Sequence, residues 1–113
     1  MSECLFCRIV QRQVPAQIVA EDDECLALRD INPQAPTHLL VIPKLHIPKV
    51  SDLTIDTAKL LGKAALMANR LAAQLGLDQG YRLVVNCGPQ AGQTVWHVHL
   101  HLLGGRAMGW PPG

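Results

Sequence analysis

The sequence predicts an α+β domain in which one long helix packs on an antiparallel sheet and a short helix lies at the N-terminus. Three observations carry this prediction. Residues 38–43 (HLLVIP) form a continuous apolar run of strand length. Residues 54–75 repeat polar side chains at helical period. Residues 97–103 (HVHLHLL) alternate histidine with apolar residues, which is the period of a strand.

The other elements follow from the same patterns and from the prolines and glycines between them. The segment at 4–12 is predicted to be a short helix that ends before Pro15. The predicted strands lie at 17–22, 25–30, 38–43, 81–86 and 95–103, and loops lie at 31–37 and 87–93. The last residues, GGRAMGWPPG, are too rich in glycine and proline for regular structure.

The long helix at 54–75 is predicted to be amphipathic. Its polar face carries Asp56, Lys59, Lys63, Arg70 and Gln74. Its apolar stripe carries Ala58, Leu61, Ala65, Ala68, Ala72 and Leu75. We expect Ser51 or Asp52 to cap its start and Gly76 to end it.

Length, charge and cysteine content limit the class of protein. The 113 residues suffice for one domain, so we expect a single domain over residues 1–113. A net charge of +1 gives no electrostatic reason to bind nucleic acid or an anionic membrane. The N-terminal residues do not resemble a signal peptide, and no apolar run reaches the roughly 20 residues of a membrane span. We therefore expect a cytoplasmic protein whose four cysteines are thiols or metal ligands.

The histidine-rich strand is the strongest functional signal. Because side chains on a strand alternate faces, His97, His99 and His101 should share one face, about 6–7 Å apart. Aligned imidazoles can divide the tasks of nucleophile, proton donor and ligand. The alternative, a solvent-exposed face that happens to carry histidines, is less favoured because such faces usually carry Thr, Lys or Glu.

The chain resembles the Hint branch of the histidine triad superfamily, the nucleotide-binding proteins with purine nucleoside phosphoramidase activity. HVHLHLL fits all seven positions of the histidine triad motif. The similarity extends to CLFCRI, LRDINPQAPTHLLVIPKLHI, GYRLVVN, GQTVWHVHLHLLGGR and GWPPG. It implies an HIT-like fold and hydrolysis of phosphorus–nitrogen bonds, with no cofactor required for the chemistry.

The resemblance also implies catalytic roles. His99 would attack phosphorus and form a nucleotidyl-histidine intermediate that water hydrolyses. The main-chain carbonyl of His97 would fix the tautomer of His99, and His101 would donate to a phosphate oxygen. His38 would orient the histidines from behind.

A purine nucleotide is the implied substrate, and the residues implied to bind it include two departures from the family. Thr94 stands where the family usually has serine, which keeps the hydroxyl, and Leu28 stands where an aromatic residue is common. Asp30 would hold the ribose hydroxyls and Asn86 the phosphate or ribose side. The other implied contacts are Leu5, Phe6 and Ile31 at the base, Gly92 and Gln93 in the phosphate loop, and the catalytic His99 and His101. From the sequence alone, Asp30 could also simply start a turn.

Two cysteines at C-x-x-C spacing, Cys4 and Cys7, form half of a tetrahedral zinc site. In some histidine triad proteins such a pair is completed by two histidines, which here correspond to His46 and His97. The alternative is a pair of small core residues on one helix face. Cys25 and Cys87 are isolated.

The resemblance also implies a homodimer in which the C-terminal tail with Trp110 reaches over the partner's site. Two other functions remain open at this stage. One is a nucleotide-binding regulatory or scaffold module with incidental catalysis. The other is a hydrolase of dinucleoside polyphosphates.

Overall fold

The computed structural model describes residues 3–113 and contains one five-stranded sheet and two α-helices. The elements run in the order α1 (Leu5–Val10), β1 (Ile18–Glu21), β2 (Cys25–Arg29), β3 (Thr37–Pro43), α2 (Ala58–Gln74), β4 (Tyr81–Val84) and β5 (Leu100–Gly104). Short 3₁₀ helices lie at Val50–Asp52 and Pro89–Ala91. The predicted α+β class is therefore confirmed, although most elements are shorter than predicted. Within residues 3–113, no helix combines the length and apolarity needed to cross a membrane.

The sheet has the strand order β1-β2-β3-β5-β4, and every neighbouring pair is antiparallel. The central strand β3 pairs with β5 in a register that sets Leu40 opposite His101. On its other side, β5 pairs with β4 so that Val84 is also opposite His101. His101 therefore lies in the middle of three hydrogen-bonded strands.

The two helices cover opposite faces of this sheet. The buried core beneath α2 includes Leu39, Val41, Leu100 and Leu102. Side chains alternate along each strand, so the residues between these point to the other face. There α1 contributes Phe6 and Ile9 to a second buried cluster with Leu26, Leu28, Leu40 and Ile42. The face that α1 covers is thus also the face of His38 and His101.

The helix α2 begins later than predicted, at Ala58, and neither Ser51 nor Asp52 caps it. Thr54 and Thr57 instead form a turn before it, in which each main-chain N–H donates to the other threonine's Oγ1, at 2.9 and 3.3 Å. Its buried residues are Leu60, Ala64, Met67, Ala68, Leu71 and Ala72, whereas the predicted core residues Ala58 and Leu75 are exposed. Gly76 ends the helix as predicted, in the left-handed conformation with φ +73°.

The prediction of one strand from 95 to 103 is wrong in its first half, since β5 begins at Leu100. The reason lies in the partners of the preceding residues. The Val98 N–H donates to the Ile47 carbonyl at 2.7 Å, and the His97 ring bonds the Pro43 carbonyl at 2.7 Å. Pro43 is the last residue of β3 and Ile47 lies beyond the strand, so these bonds take residues 95–99 away from the sheet ladder. As a consequence, His97 and His99 are presented from an irregular segment and only His101 from a strand.

Candidate active site

His99 is held in one tautomer by its own chain. Its side chain is buried, at 7% exposure, and its Nδ1 lies 2.7 Å from the main-chain oxygen of His97. Because a carbonyl oxygen can only accept, Nδ1 carries the proton and the neutral ring keeps its lone pair on Nε2. The His99 ring also packs edge-on against Phe6, with ring centroids 5.2 Å apart. This arrangement matches the one that the resemblance implies for a nucleophile.

A second chain of hydrogen bonds fixes His38 and His101. The Gln34 main-chain N–H donates to His38 Nδ1 at 3.0 Å, so the proton of neutral His38 is on Nε2. His38 Nε2 lies 2.9 Å from His101 Nδ1 and donates to it. The proton of neutral His101 is then on Nε2, which is buried and has no hydrogen-bond partner in residues 3–113. Such a donor suits a ligand oxygen, which would satisfy it.

Asp30 lies beside this chain. Its Oδ2 is 3.4 Å from His38 Nε2, and its Oδ1 accepts from the Asn32 N–H at 2.8 Å. Burial lowers the pKa of His38, and the Asp30 carboxylate opposes that shift. Asp30 therefore both starts a turn and faces the histidines, so the two sequence interpretations of this residue are compatible.

Burial should make stability depend on pH through His101. It is the main cause that lowers the pKa of this histidine from the ordinary 6.5 to about 4, helped by His99 and His38. Between pH 6.5 and 4 the unfolded chain then binds more protons than the folded one, so the free energy of unfolding should fall as the pH falls. Urea unfolding across this range measures the slope, which should be shallower in a His101→Gln variant. Parallel slopes would show that folding does not hold His101 neutral.

His97 is fully buried and carries out a different task. Its Nε2 donates to the Pro43 carbonyl at 2.7 Å, which leaves the Nδ1 lone pair free in the neutral ring. Burial, the largest influence, lowers the pKa of His97. The Nδ1 atom lies 3.4 Å from Cys4 Sγ, 3.5 Å from Cys7 Sγ and 3.3 Å from His46 Nδ1. The four residues of the predicted metal site are therefore brought together.

The donor set of this cluster fits a tetrahedral zinc ion. All four ligand atoms lie within 4.8 Å of one another. Bonds of about 2.3 Å to sulfur and 2.0–2.1 Å to nitrogen imply edges of about 3.3–3.4 Å between nitrogens and 3.5–3.6 Å between sulfur and nitrogen. The observed separations are 3.3 Å between His46 and His97 and 3.3–3.5 Å from sulfur to nitrogen. The Pro43 carbonyl supplies the outer hydrogen bond typical of a metal-bound histidine.

A cavity of about 470 Å³ adjoins the histidines. Among its lining residues are those predicted to contact a nucleotide and the catalytic pair: Leu5, Phe6, Leu28, Asp30, Ile31, Thr94, His99 and His101. Phe6 and Leu28 are buried walls, whereas Ile31 is 99% exposed at the rim. A larger cavity, of about 650 Å³, lies between the start of β4 and the segment after β5, and no histidine lines it.

The loop before the histidines is held by the side chain of Gln93. The Gln93 side chain donates to the Pro48 and Val95 carbonyls and accepts from the Gly88 N–H, so its polar atoms hold the loop together. Gln93 therefore shapes the loop, and its predicted contact with a nucleotide stays a prediction. Gly92 has φ +89°, a conformation that favours glycine. Asn86 is half-buried beyond the end of β4 and does not line the cavity.

Sequence reasoning missed two kinds of site component. Main-chain groups of Gln34 and Pro43 fix two of the histidines, and such groups give no sequence signal because nearly every residue has them. Residues 14–17 also line the cavity from the segment between α1 and β1. They carry no motif and are brought there by the chain path alone.

Comparison with known proteins identifies a family and several relatives. Residues 11–108 match the HIT domain family. The chain is 54% identical to an uncharacterized HIT-like protein of Synechococcus elongatus, over 100% of both chains. It is also 54% identical to a HIT family hydrolase from Legionella pneumophila, with a TM-score of 0.96 and coverage of 98% of this chain and 100% of that one. A histidine triad nucleotide-binding protein from Candida albicans is 32% identical, with a TM-score of 0.82 and coverage of 96% and 83%.

The chain therefore belongs to the HIT domain family. Its similarity to HIT family hydrolases supports a hydrolase activity.

Proposed function

We propose that this protein hydrolyses the P–N bond of purine nucleoside 5′-phosphoramidates, including substrates of the aminoacyl-adenylate type, and releases the nucleoside monophosphate. The observation that carries the proposal is the 2.7 Å bond from His99 Nδ1 to the His97 carbonyl, which directs the Nε2 lone pair outward as a nucleophile. His99 Nε2 attacks phosphorus, the P–N bond breaks, and the leaving nitrogen takes a proton from solvent and departs as the amine. Water then cleaves the phosphorus–His99 bond.

The surrounding residues support distinct roles in this reaction. The free donor at His101 Nε2 can bond a phosphate oxygen as negative charge develops. The Thr94 hydroxyl is a further donor at the wall of the cavity. Asp30 can accept from ribose hydroxyls, and the apolar Leu5, Phe6 and Leu28 suit a purine ring. Nucleotide binding is also the property named for the Candida albicans relative.

A comparison of substrates under one assay tests the proposal. Adenosine and guanosine 5′-phosphoramidates should be converted to the monophosphates, with kcat/KM well above that for a diadenosine polyphosphate. The opposite preference would favour a dinucleoside polyphosphate hydrolase. Turnover no faster than the uncatalysed reaction, with tight nucleotide binding, would favour a binding module.

We further propose that Cys4, Cys7, His46 and His97 hold a structural zinc ion. The separations of their donor atoms support this, as does the acceptor bonded to the His97 ring. The ion would link α1 to His46, in the segment after β3, and to His97, which precedes β5. The proposed reaction takes no step through the ion. Thiolate ligands need reducing conditions, which supports our proposal that the protein works in the cytoplasm.

We also propose a homodimer. β4 is an edge strand with one unpaired backbone side, and its Tyr81 and Leu83 are partly exposed. The tail is tied to β4 by a bond from Arg82 to the Gly109 carbonyl, yet Trp110 beyond it is 83% exposed. A second copy would cover these apolar groups and receive the tail over its site. Sedimentation equilibrium should give twice the chain mass for the wild type and a shift toward the monomer for Leu83→Lys; a monomeric wild type would contradict the proposal.

A further inference from the structure

A cavity of about 600 Å³, here called the second cavity, adjoins the proposed nucleotide cavity and differs from the 650 Å³ cavity beside β4. The two share Leu5, Thr94 and Val95 as lining residues. Glu3, His46 and Trp96 line only the second one. Thr94 therefore stands between a cavity that contains His99 and one that does not.

This position fits the leaving side of the proposed substrate. A nucleoside in the first cavity brings its 5′-phosphorus to His99, with Thr94 next to the phosphate. The amine on that phosphorus must point away from the attacking ring, because attack and departure are in line. A substituent on the amine that bends over Thr94 enters the second cavity.

The side chains around the second cavity favour a cation. Trp96 is 45% exposed although it precedes the fully buried His97, so its indole is available at the surface. Aromatic faces attract ammonium and guanidinium groups. Glu3 is the only carboxylate among the lining residues. Two residues of the proposed zinc cluster, Cys4 and His46, also line this cavity. The two cysteine thiolates of that cluster would neutralise the zinc ion, so the carboxylate of Glu3 would set the local charge.

We propose that this second cavity is a leaving-group subsite for amines whose side chain is an alkyl chain ending in a cationic group, with Glu3 and Trp96 as its specificity residues. The inference rests on the proposed function, since it assigns the part of a phosphoramidate substrate that the nucleotide cavity does not hold. Glu3 pairs with the cation, and Trp96 supports the alkyl chain and the charged end.

A matched pair of substrates tests the charge preference. Adenosine 5′-phosphoramidates carrying a 5-aminopentyl or an n-hexyl group on nitrogen have the same chain length and differ in the terminal charge. The wild type should favour the cationic substrate by about 5-fold in kcat/KM, as expected for one exposed ion pair with a cation–π contact. Glu3→Gln and Trp96→Leu should each reduce this ratio toward 1. The ratio within one variant cancels any general effect on the neighbouring His97.

Asp78→Asn is the matched control, because it removes one exposed carboxylate from the turn after α2, which lines neither cavity. This variant should keep the wild-type ratio. An equal or reversed ratio in the wild type, an unchanged ratio in Glu3→Gln, or an equal loss in Asp78→Asn would overturn the subsite. A wild type that cleaves the unsubstituted phosphoramidate but neither alkyl substrate would also overturn the subsite. Failure to cleave all three substrates would instead overturn the proposed function.

Discussion

Replacement of His99 by asparagine is expected to lower the turnover of a purine nucleoside phosphoramidate by on the order of 10⁴-fold or more, the scale of losses seen when a catalytic group that acts as part of a unit is removed. Asparagine can still donate to the His97 carbonyl, but its side chain has no basic nitrogen to attack phosphorus. Steady-state release of the nucleoside monophosphate measures the effect.

Nucleotide binding is the control for this variant. The cavity walls at Phe6, Leu28 and Asp30 are untouched, so the Kd for the monophosphate should change by less than about tenfold, the effect of one lost hydrogen bond. Rapid mixing of the wild type with substrate should also show a burst if hydrolysis of the intermediate is slow. Wild-type activity in His99→Asn would mean that another group is the nucleophile.

Removal of the proposed zinc site is expected to have the largest effect on stability. Cys4→Ser and Cys7→Ser each take one thiolate from the four-ligand cluster, and the purified variants should contain little zinc where the wild type contains about one equivalent. Free zinc about 1,000-fold above its Kd stabilises a folded protein by about 4 kcal/mol, which corresponds to a loss in Tm of more than about 10 °C. Metal analysis and thermal unfolding measure the two effects.

Cys87→Ser is the matched control, because Cys87 lies outside the cluster and contacts Ser51. It should keep both the zinc and the Tm of the wild type. A wild type with well under half an equivalent of zinc after metal-replete expression would refute the site. Cys4 and Cys7 would then contribute to the fold by packing and by the bond that caps α1.

The sequence predicted the fold class and the grouping of the metal-site residues. Of the three motif histidines, however, only His101 lies on the strand that the sequence predicted for all three. A continuous apolar run located β3, which is buried on both faces, and helical periodicity located α2, which is buried on one face. The alternation of histidines with apolar residues extended the last strand too far, because an alternating pattern does not reveal that Val98 bonds Ile47 and His97 bonds Pro43. His97 and His99 consequently have different surroundings, which a uniform strand would not give them.

The contacts that depend on tertiary structure were beyond sequence reasoning. The role of Gln93 as a loop brace appears only when the Gly88, Pro48 and Val95 main-chain groups are near it. The start of α2 was misplaced because Thr54 and Thr57 bond each other's main chain ahead of the helix. In both cases a polar side chain has several possible partners, and the tertiary structure determines which of them lie within hydrogen-bond distance.

His97 has a consequence for how the family can diverge. Its imidazole belongs to the cysteine cluster, whereas its contribution to His99 comes from a peptide oxygen that every amino acid possesses. In a descendant that loses Cys4 and Cys7, selection on the ring would relax while selection on the backbone path would persist. Other side chains could then be inherited at position 97 without loss of the chemistry at position 99, provided that they fill the same buried volume and donate to the Pro43 carbonyl. Under the two proposals, the ring of His97 serves the metal site and the ring of His99 serves the reaction.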